Sequence, residues 1–195
     1  MNMGQISIRN TRTERNLLHA FAGESQARNR YTYFASQARK EELMQIAAIF
    51  AETADQEKEH AERFFKFLDG GSVTINAAFP AGVIGDTAAN LAAAADGEYE
   101  EWHTLYPGFA EVARQEGFPH IGMVFDYICV AEKQHEKRYR HLLKNLESNQ
   151  VFNKPEPTVW RCMNCGYIHS GITVPERCPS CDHPRGYFEL LAENW

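Results

Sequence analysis

Residues 51–60 read AETADQEKEH and residues 131–140 read AEKQHEKRYR; each stretch holds a Glu followed three positions later by a His, Glu57–His60 and Glu132–His135. Positions i and i+3 lie on one side of an α-helix, so each pair presents a carboxylate and an imidazole together. Read outward in steps of three and four, the first pair belongs to the stripe Ile46, Phe50, Thr53, Glu57, His60, Phe64, Phe67. The second belongs to Ile121, Val124, Ile128, Glu132, His135, Tyr139, Leu142, Leu146. Both pairs therefore interrupt the apolar face of an amphipathic helix near its middle.

The flanking sequence predicts two further helices. A first helix starts near Thr13, with Thr11 or Thr13 as its cap, and carries only Gly23 as an interior weak point. After a break near Glu41–Leu43, the second helix runs on until Gly70-Gly71 ends it. Residues 70–86 (GGSVTINAAFPAGVIGD) read as a long crossover. A third helix is expected over Thr87–Glu116, closed by Gly117, and Pro119 opens a fourth that reaches about Glu147. Four helices with one long crossover between the second and third describe a mainly α, ferritin-like four-helix bundle. The stripe of the first helix reads Leu17, Phe21, Glu24, Arg28, Tyr31, Ala35; that of the third reads Leu91, Ala94, Glu98, Glu101, Leu105.

Five glutamates and two histidines thus fall on inner stripes, with Arg28 as the chief cationic candidate beside them. An unpaired buried carboxylate costs several kcal/mol, and metal ions would neutralise the cluster. Two Glu-x-x-His motifs plus a Glu from each remaining helix is the ligand recipe of di-iron carboxylate bundles. Hard oxygen donors with imidazole suit iron or manganese, and zinc remains open. The pattern repeats along the chain: the offset from Glu24 to Glu98 is 74, while those from Glu57 to Glu132, His60 to His135 and Tyr31 to Tyr106 are each 75. Such a repeat predicts two half-sites about an approximate two-fold axis, with Glu57 and Glu132 bridging. Glu101 breaks the symmetry, its counterpart being Ala27. Competition between Glu101 and His60 for one metal position would offer a redox switch.

The C-terminal stretch holds Cys162-Met-Asn-Cys165 and Cys178-Pro-Ser-Cys181, two CxxC knuckles that close a tetrahedral four-sulfur site for zinc or a single iron. Trp160, Tyr167, Phe188 and Trp195 are expected to form its apolar shell, with His169 and His183 on the surface. The chain divides accordingly into a bundle (1–148), a polar linker (149–158) and a small metal-stapled domain (159–195) too short for an independent apolar core. Cys129 reads as a small buried residue.

A net charge of −6 argues against a nucleic-acid partner, and no apolar stretch is long enough to span a bilayer. Residues 1–16 are polar, so no secretory leader is expected. Paired CxxC knuckles with one odd cysteine suit a metal site in a reducing cytoplasm rather than a disulfide framework.

Taken together, FAGESQARNRY (21–31), AETADQEKEH (51–60), GEYEEW with LYPGFA (97–110), AEKQHEKRYR (131–140), WRCMNCGY…CPSC (160–181) and the closing FELLAENW closely resemble the rubrerythrin family along the whole chain. The resemblance implies seven di-iron ligands, Glu24, Glu57, His60, Glu98, Glu101, Glu132 and His135, and one iron held by Cys162, Cys165, Cys178 and Cys181. It implies a peroxide reductase, with hydrogen peroxide as substrate. Electrons would come from a rubredoxin or an NAD(P)H-dependent reductase through the four-cysteine iron. Glu101 would exchange with His60, Tyr31 and Tyr106 would hold the carboxylates, and two chains would pair head to tail as a homodimer. Rival readings of the same residues are an iron-storing ferroxidase bundle and a zinc-stapled regulatory protein.

Overall fold

The structure, a computed structural model, describes residues 7–195. Of the N-terminal stretch read as free of a leader, residues 1–6 lie outside the described residues. Among the described residues no helix is long and apolar enough to cross a membrane.

Helix α1 spans Arg12–Lys40, and of the two candidate caps it is Thr11 whose hydroxyl accepts from the Glu14 N–H at 3.0 Å. After a tight turn at 41–43, α2 spans Met44–Phe65. It stops short of the expected Gly70-Gly71, because Phe67 and Leu68 close i→i+3 bonds to Phe64 and Phe65 that tighten the chain out of the helix. Residues 68–86 form the crossover. Helix α5 then runs Pro119–Glu147 as expected.

The third helix departs from a single rod. It divides into α3 (Thr87–Glu100), one π-helical turn (Glu101–Leu105) and α4 (Tyr106–Gln115). The Tyr106 N–H reaches five residues back to the Glu101 carbonyl. Pro107 follows, lacking an N–H and crowding the carbonyl four residues before it, and the wide turn relieves that conflict. A wide turn inserts one residue into the helical phase. Leu105, expected on the buried stripe, is therefore half-buried, and Tyr106 takes its place in the core. The same insertion explains the repeat: the offset is 74 up to Glu98 and 75 from Tyr106 onward, so the extra residue falls within this turn. On α1 the inner position assigned to Arg28 belongs to Ala27, and Arg28 is exposed.

The two halves hold each other at their ends. Glu116, just past α4, accepts from the Thr13 backbone N–H (2.8 Å) and hydroxyl (2.7 Å) at the start of α1. Glu41, its counterpart one repeat earlier, accepts from the Thr87 N–H at the start of α3 with both oxygens at 3.1 Å. Each hairpin thus neutralises the orphan N–H groups and positive dipole end of the other.

The C-terminal module is a three-stranded antiparallel sheet of order β2-β1-β3, with β1 at Asn153–Cys162, β2 at Ile168–Thr173 and β3 at Phe188–Leu190. Strand β1 begins inside the stretch read as a linker, so that stretch is ordered strand from Asn153 onward. Trp160, Phe188, Cys162 and Cys178 are buried in a small core with Tyr167 packed against it. Trp195, expected in that shell, is 86% exposed. The 3-10 turn Arg185–Tyr187 lies against the α1–α2 turn: a side chain at Gly186 would put its first carbon 2.0 Å from the Glu42 carbonyl oxygen.

Burial acts to raise the Glu116 carboxyl, but hydrogen bonds from Thr13 and Arg12 outweigh it and hold the group at about 2. A depressed folded pKa stabilises the protein above the ordinary range near 4.5, and that contribution fades as pH falls through 2. Glu116→Ala is expected to lower unfolding free energy by about 1 kcal/mol at pH 7, as for a lost N-cap, and by less near pH 2. Urea denaturation at the two pH values checks this; an equal loss at both would remove the ionised cap from the account.

Candidate metal centres

Four helices deliver polar side chains to one point in the bundle. Glu24, Glu57, Glu98 and Glu132 are almost completely inaccessible, His135 is buried and His60 half-buried. They fall into two groups, Glu24, Glu57, His60, Glu132 and Glu57, Glu98, Glu132, His135, each with donor atoms within 4.8 Å of one another. Glu57 and Glu132 stand in both. His60 Nδ1 lies 2.8 Å from Glu132, 2.9 Å from Glu57 and 4.0 Å from Glu24. His135 Nδ1 lies 2.8 Å from Glu132, 3.1 Å from Glu57 and 3.5 Å from Glu98. Two half-sites follow, related by the internal repeat.

These atoms are close without being satisfied. Glu24 Oε2, Glu57 Oε1, Glu98 Oε2, both Glu132 oxygens and His135 Nδ1 make no aligned hydrogen bond despite the short separations. The short separations and the missing bonds are compatible, because the groups face one another at close range without hydrogen-bond alignment. Buried polar atoms in native proteins are ordinarily paired, and cations among these groups would satisfy the whole set. Four carboxylates with two imidazoles are the donor chemistry of a di-iron site.

Burial first, then neighbouring carboxylates, push Glu24, Glu98 and Glu101 well above the usual carboxyl range. Burial opposes charge on the imidazoles too, but the close approach of Glu132 and Glu57 overrides it and raises His60 to about 10; with Glu98 added, His135 reaches about 12. Burial would also raise Glu132, yet the adjacent imidazoles of His135 and His60 lower it to about 2. The remaining oxygens are fixed by phenols. Tyr31 donates to Glu98 Oε1 at 2.6 Å and Tyr106 to Glu24 Oε1 at 2.5 Å. Burial, aided by the adjacent carboxylates, lifts both phenols well above 10, so they remain protonated donors.

Glu101 belongs to neither group. It sits half-buried in the π turn, near enough for the charges of Glu98, Glu132 and Glu57 to raise it, with Arg30 opposing them. Sequence reading missed Gln56, whose Oε1 lies 3.0 Å from His135 Nε2 and accepts that N–H, fixing the ring with Nδ1 facing the carboxylate cluster. Arg138 reaches Thr53 at 2.7 Å and Glu52 at 2.8 Å beside it. The repeat could not signal Gln56, because the matching position in the second half is Ala131.

In the second module Sγ atoms of Cys162 and Cys181 are 3.8 Å apart and those of Cys165 and Cys178 3.6 Å, all four within 4.8 Å. A metal bonded at about 2.3 Å to four sulfurs in a tetrahedron separates them by about 3.8 Å, so the knuckles fit one ion and are too far apart for disulfides. The Tyr167 N–H is the main influence lowering Cys165 to about 7, and the His183 N–H lowers Cys181, whereas burial raises Cys162 to about 12. Cys165 is exposed at the rim. His169 and His183 are half-buried; His169 engages the Thr173 carbonyl and His183 that of Cys181. Cys129 is also half-buried, and burial raises its thiol to about 11.

A ferritin-like bundle with a buried carboxylate–imidazole pair of half-sites, joined to a rubredoxin-like four-cysteine knuckle, defines a two-module non-haem iron protein. The family pattern described as Rubrerythrin matches residues 15–143, and that described as Rubrerythrin, rubredoxin-like domain matches residues 160–189. Over 189 residues the chain is 57% identical to a rubrerythrin of Nitratidesulfovibrio vulgaris, covering 97% of this chain and 99% of that protein. It is 56% identical to a rubrerythrin of Porphyromonas gingivalis over 97% of this chain and 94% of that one. Among solved structures, mixed-valence nigerythrin shares a TM-score of 0.61 at 29% identity, covering 98% of this chain and 91% of that chain. The chain belongs to the rubrerythrin family, with a di-iron site in its bundle and an iron site in its four-cysteine module.

The sign of the pKa shifts makes metal removal testable. Raised folded values on Glu24, Glu98, Glu101, His60 and His135 mean that the metal-free folded state binds more protons than the unfolded chain above the ordinary values of 4.5 and 6.5. Stability from these groups is full below those values and is lost as pH rises toward 10. Glu132 works the other way, but only at acid pH. Thermal melts of chelator-treated protein should therefore fall steadily from pH 7 to 10, while the iron-loaded protein changes little. A flat metal-free profile would mean that the cluster is not protonated as described.

Proposed function

We propose that this protein reduces hydrogen peroxide to water at the bundle site. Its electrons come from an external NAD(P)H-linked reductase or a rubredoxin and pass through the four-cysteine module. The observation that carries the reading is the conjunction of two redox-capable donor sets in one chain: carboxylates and imidazoles converging in the bundle, and four cysteines with one of them, Cys165, exposed at the rim. An iron-storage bundle would need only the first.

Hydrogen peroxide takes up two electrons and two protons, its O–O bond breaks, and two waters leave; bound iron supplies the electrons. The chain's residues would hold the metals and keep their ligands still. Glu24, Glu57, His60, Glu98, Glu132 and His135 are the proposed resident ligands, with Glu57 and Glu132 shared. Tyr106 and Tyr31 each lock one oxygen of a terminal carboxylate by donating to it, so that only the second oxygen is free to turn toward the metal. Gln56 fixes the His135 ring through Nε2. Glu101 and His60 are the proposed exchanging pair: His60 stands among the donors here, with Glu101 held off in a turn whose loose pitch lets its side chain move. An anionic carboxylate suits the oxidised metal and a neutral imidazole the reduced one.

The four-cysteine module packs on the α1–α2 turn, about 14 residues of helix from Glu57, or roughly 20 Å at 1.5 Å per residue. That span favours delivery from a second copy, as in the head-to-tail homodimer the resemblance implies; a monomeric mass in solution would argue against it. Once reduced, the iron-loaded protein is expected to be re-oxidised far faster by hydrogen peroxide than by dioxygen. Stopped-flow traces of the four-cysteine and di-iron absorption check this, and equal or slower rates with peroxide would defeat the assignment. Glu101→Ala should keep two metals in the bundle while slowing turnover or shifting the di-iron potential. Loss of both metals, or no change in rate or potential, would remove the exchange.

A further inference from the structure

Beyond Gly70-Gly71 the crossover carries five large apolar side chains. Val73, Ile75, Val83 and Ile84 are 41%, 40%, 86% and 57% exposed. Only Phe79 is tucked in, and it lands beside the carboxylate cluster. Its ring meets His19 edge-on at a centroid distance of 5.2 Å, and His19 in turn packs on Phe109 at 5.5 Å. Beneath it lies a cavity of about 130 Å³ lined by His19, Gly23, Arg30, Phe79, Glu101 and Tyr106. Tyr106 is the phenol bonded to Glu24, so the cavity abuts the metal donors on the side where Glu101 waits.

Gly23 accounts for the space. Glycine in a helix interior is a cost to stability, and no turn or positive φ requires it here. A methyl at this position would meet Phe79 Cε1 and Glu101 Oε1, each at 3.9 Å. Both are ordinary van der Waals contacts, so alanine fits, but it would fill the floor of the cavity. The missing side chain leaves room directly between the crossover ring and the carboxylate.

We infer that Phe79, seated over Gly23, is a size filter on the approach to the di-iron site: it admits hydrogen peroxide and turns away hydroperoxides that carry a bulky aromatic group. A cavity of this volume is on the order of one that takes up a single benzene molecule. Hydrogen peroxide fits easily, whereas cumene hydroperoxide must place a ring, two methyls and the peroxy group where Phe79 already stands. The inference rests on the peroxide-reductase reading for its natural substrate. The reaction filtered is the same for each reactant: ROOH takes two electrons from the reduced di-iron site and two protons, and leaves as ROH and water.

The test compares re-oxidation of the reduced holoprotein by hydrogen peroxide and by cumene hydroperoxide in the wild type, Phe79→Ala and Gly23→Ala. The wild type should favour hydrogen peroxide strongly. Phe79→Ala should shift the ratio toward cumene hydroperoxide by about tenfold or more, the scale set by relieving a steric exclusion in a pocket. Gly23→Ala should raise the melting temperature while slowing both peroxides. A second readout needs no turnover: in protein loaded with cobalt(II) instead of iron, azide should perturb the visible bands of both wild type and Phe79→Ala, and benzoate those of Phe79→Ala alone. An unmoved peroxide ratio, or benzoate binding equally to both proteins, would overturn the filter. If hydrogen peroxide proved no faster than dioxygen, the peroxide reading would fall, and the cobalt titration would still decide whether Phe79 guards the site.

Discussion

The fold is organised around electrostatic repulsion at its centre. Four carboxylates almost wholly removed from water converge with two imidazoles, and several of their oxygens find no hydrogen-bond donor. Such an arrangement is expensive for a bundle of this size, whose net stability is the small remainder of large opposing terms. Cations turn the liability into cohesion, because each ion ties together side chains from different helices. The apolar clusters on either side, one around Phe50 and Tyr139 and the other around Phe64, Tyr106 and Phe125, then act as walls that hold the donors in place and keep water out.

Around that centre the molecule is nearly symmetric, and its chemistry depends on where symmetry fails. Thr13 and Thr87, Glu24 and Glu98, Tyr31 and Tyr106, Glu41 and Glu116 are matched pairs across the two halves. The tyrosines cross over, each clamping the glutamate of the other half. One inserted residue, absorbed as a π turn, accompanies a carboxylate, Glu101, whose counterpart in the first half is Ala27. Gln56, which has no counterpart at Ala131, adds a second inequality by orienting His135. Two metals held in this frame would sit in different surroundings.

Much of this was legible in the residues because the constraints are local and periodic. Glu57 with His60, and Glu132 with His135, announce themselves by interrupting apolar stripes. The cysteine spacing defines its site without reference to the rest of the chain. What escaped notice depends on phase or on contacts between distant segments. The shift in repeat offset from 74 to 75 was visible beside Pro107, yet a regular helical reading carried Leu105 into the core in place of Tyr106. Arg28 was assigned to the inner face through a one-position error in the stripe, where Ala27 belongs. The seat of Phe79 lies in a segment with no periodicity to read. Trp195 is apolar, yet among the described residues nothing covers it.

The close approach of Gly186 to the Glu42 carbonyl has a consequence for how charge reaches the molecule. A module seated this closely on the α1–α2 turn is held against the bundle by packing as well as by its covalent connection. Its exposed cysteine, Cys165, then keeps one bearing relative to the helices. The rim of the four-cysteine site and the neighbouring end of the bundle thus form one composite surface, fixed by the chain itself.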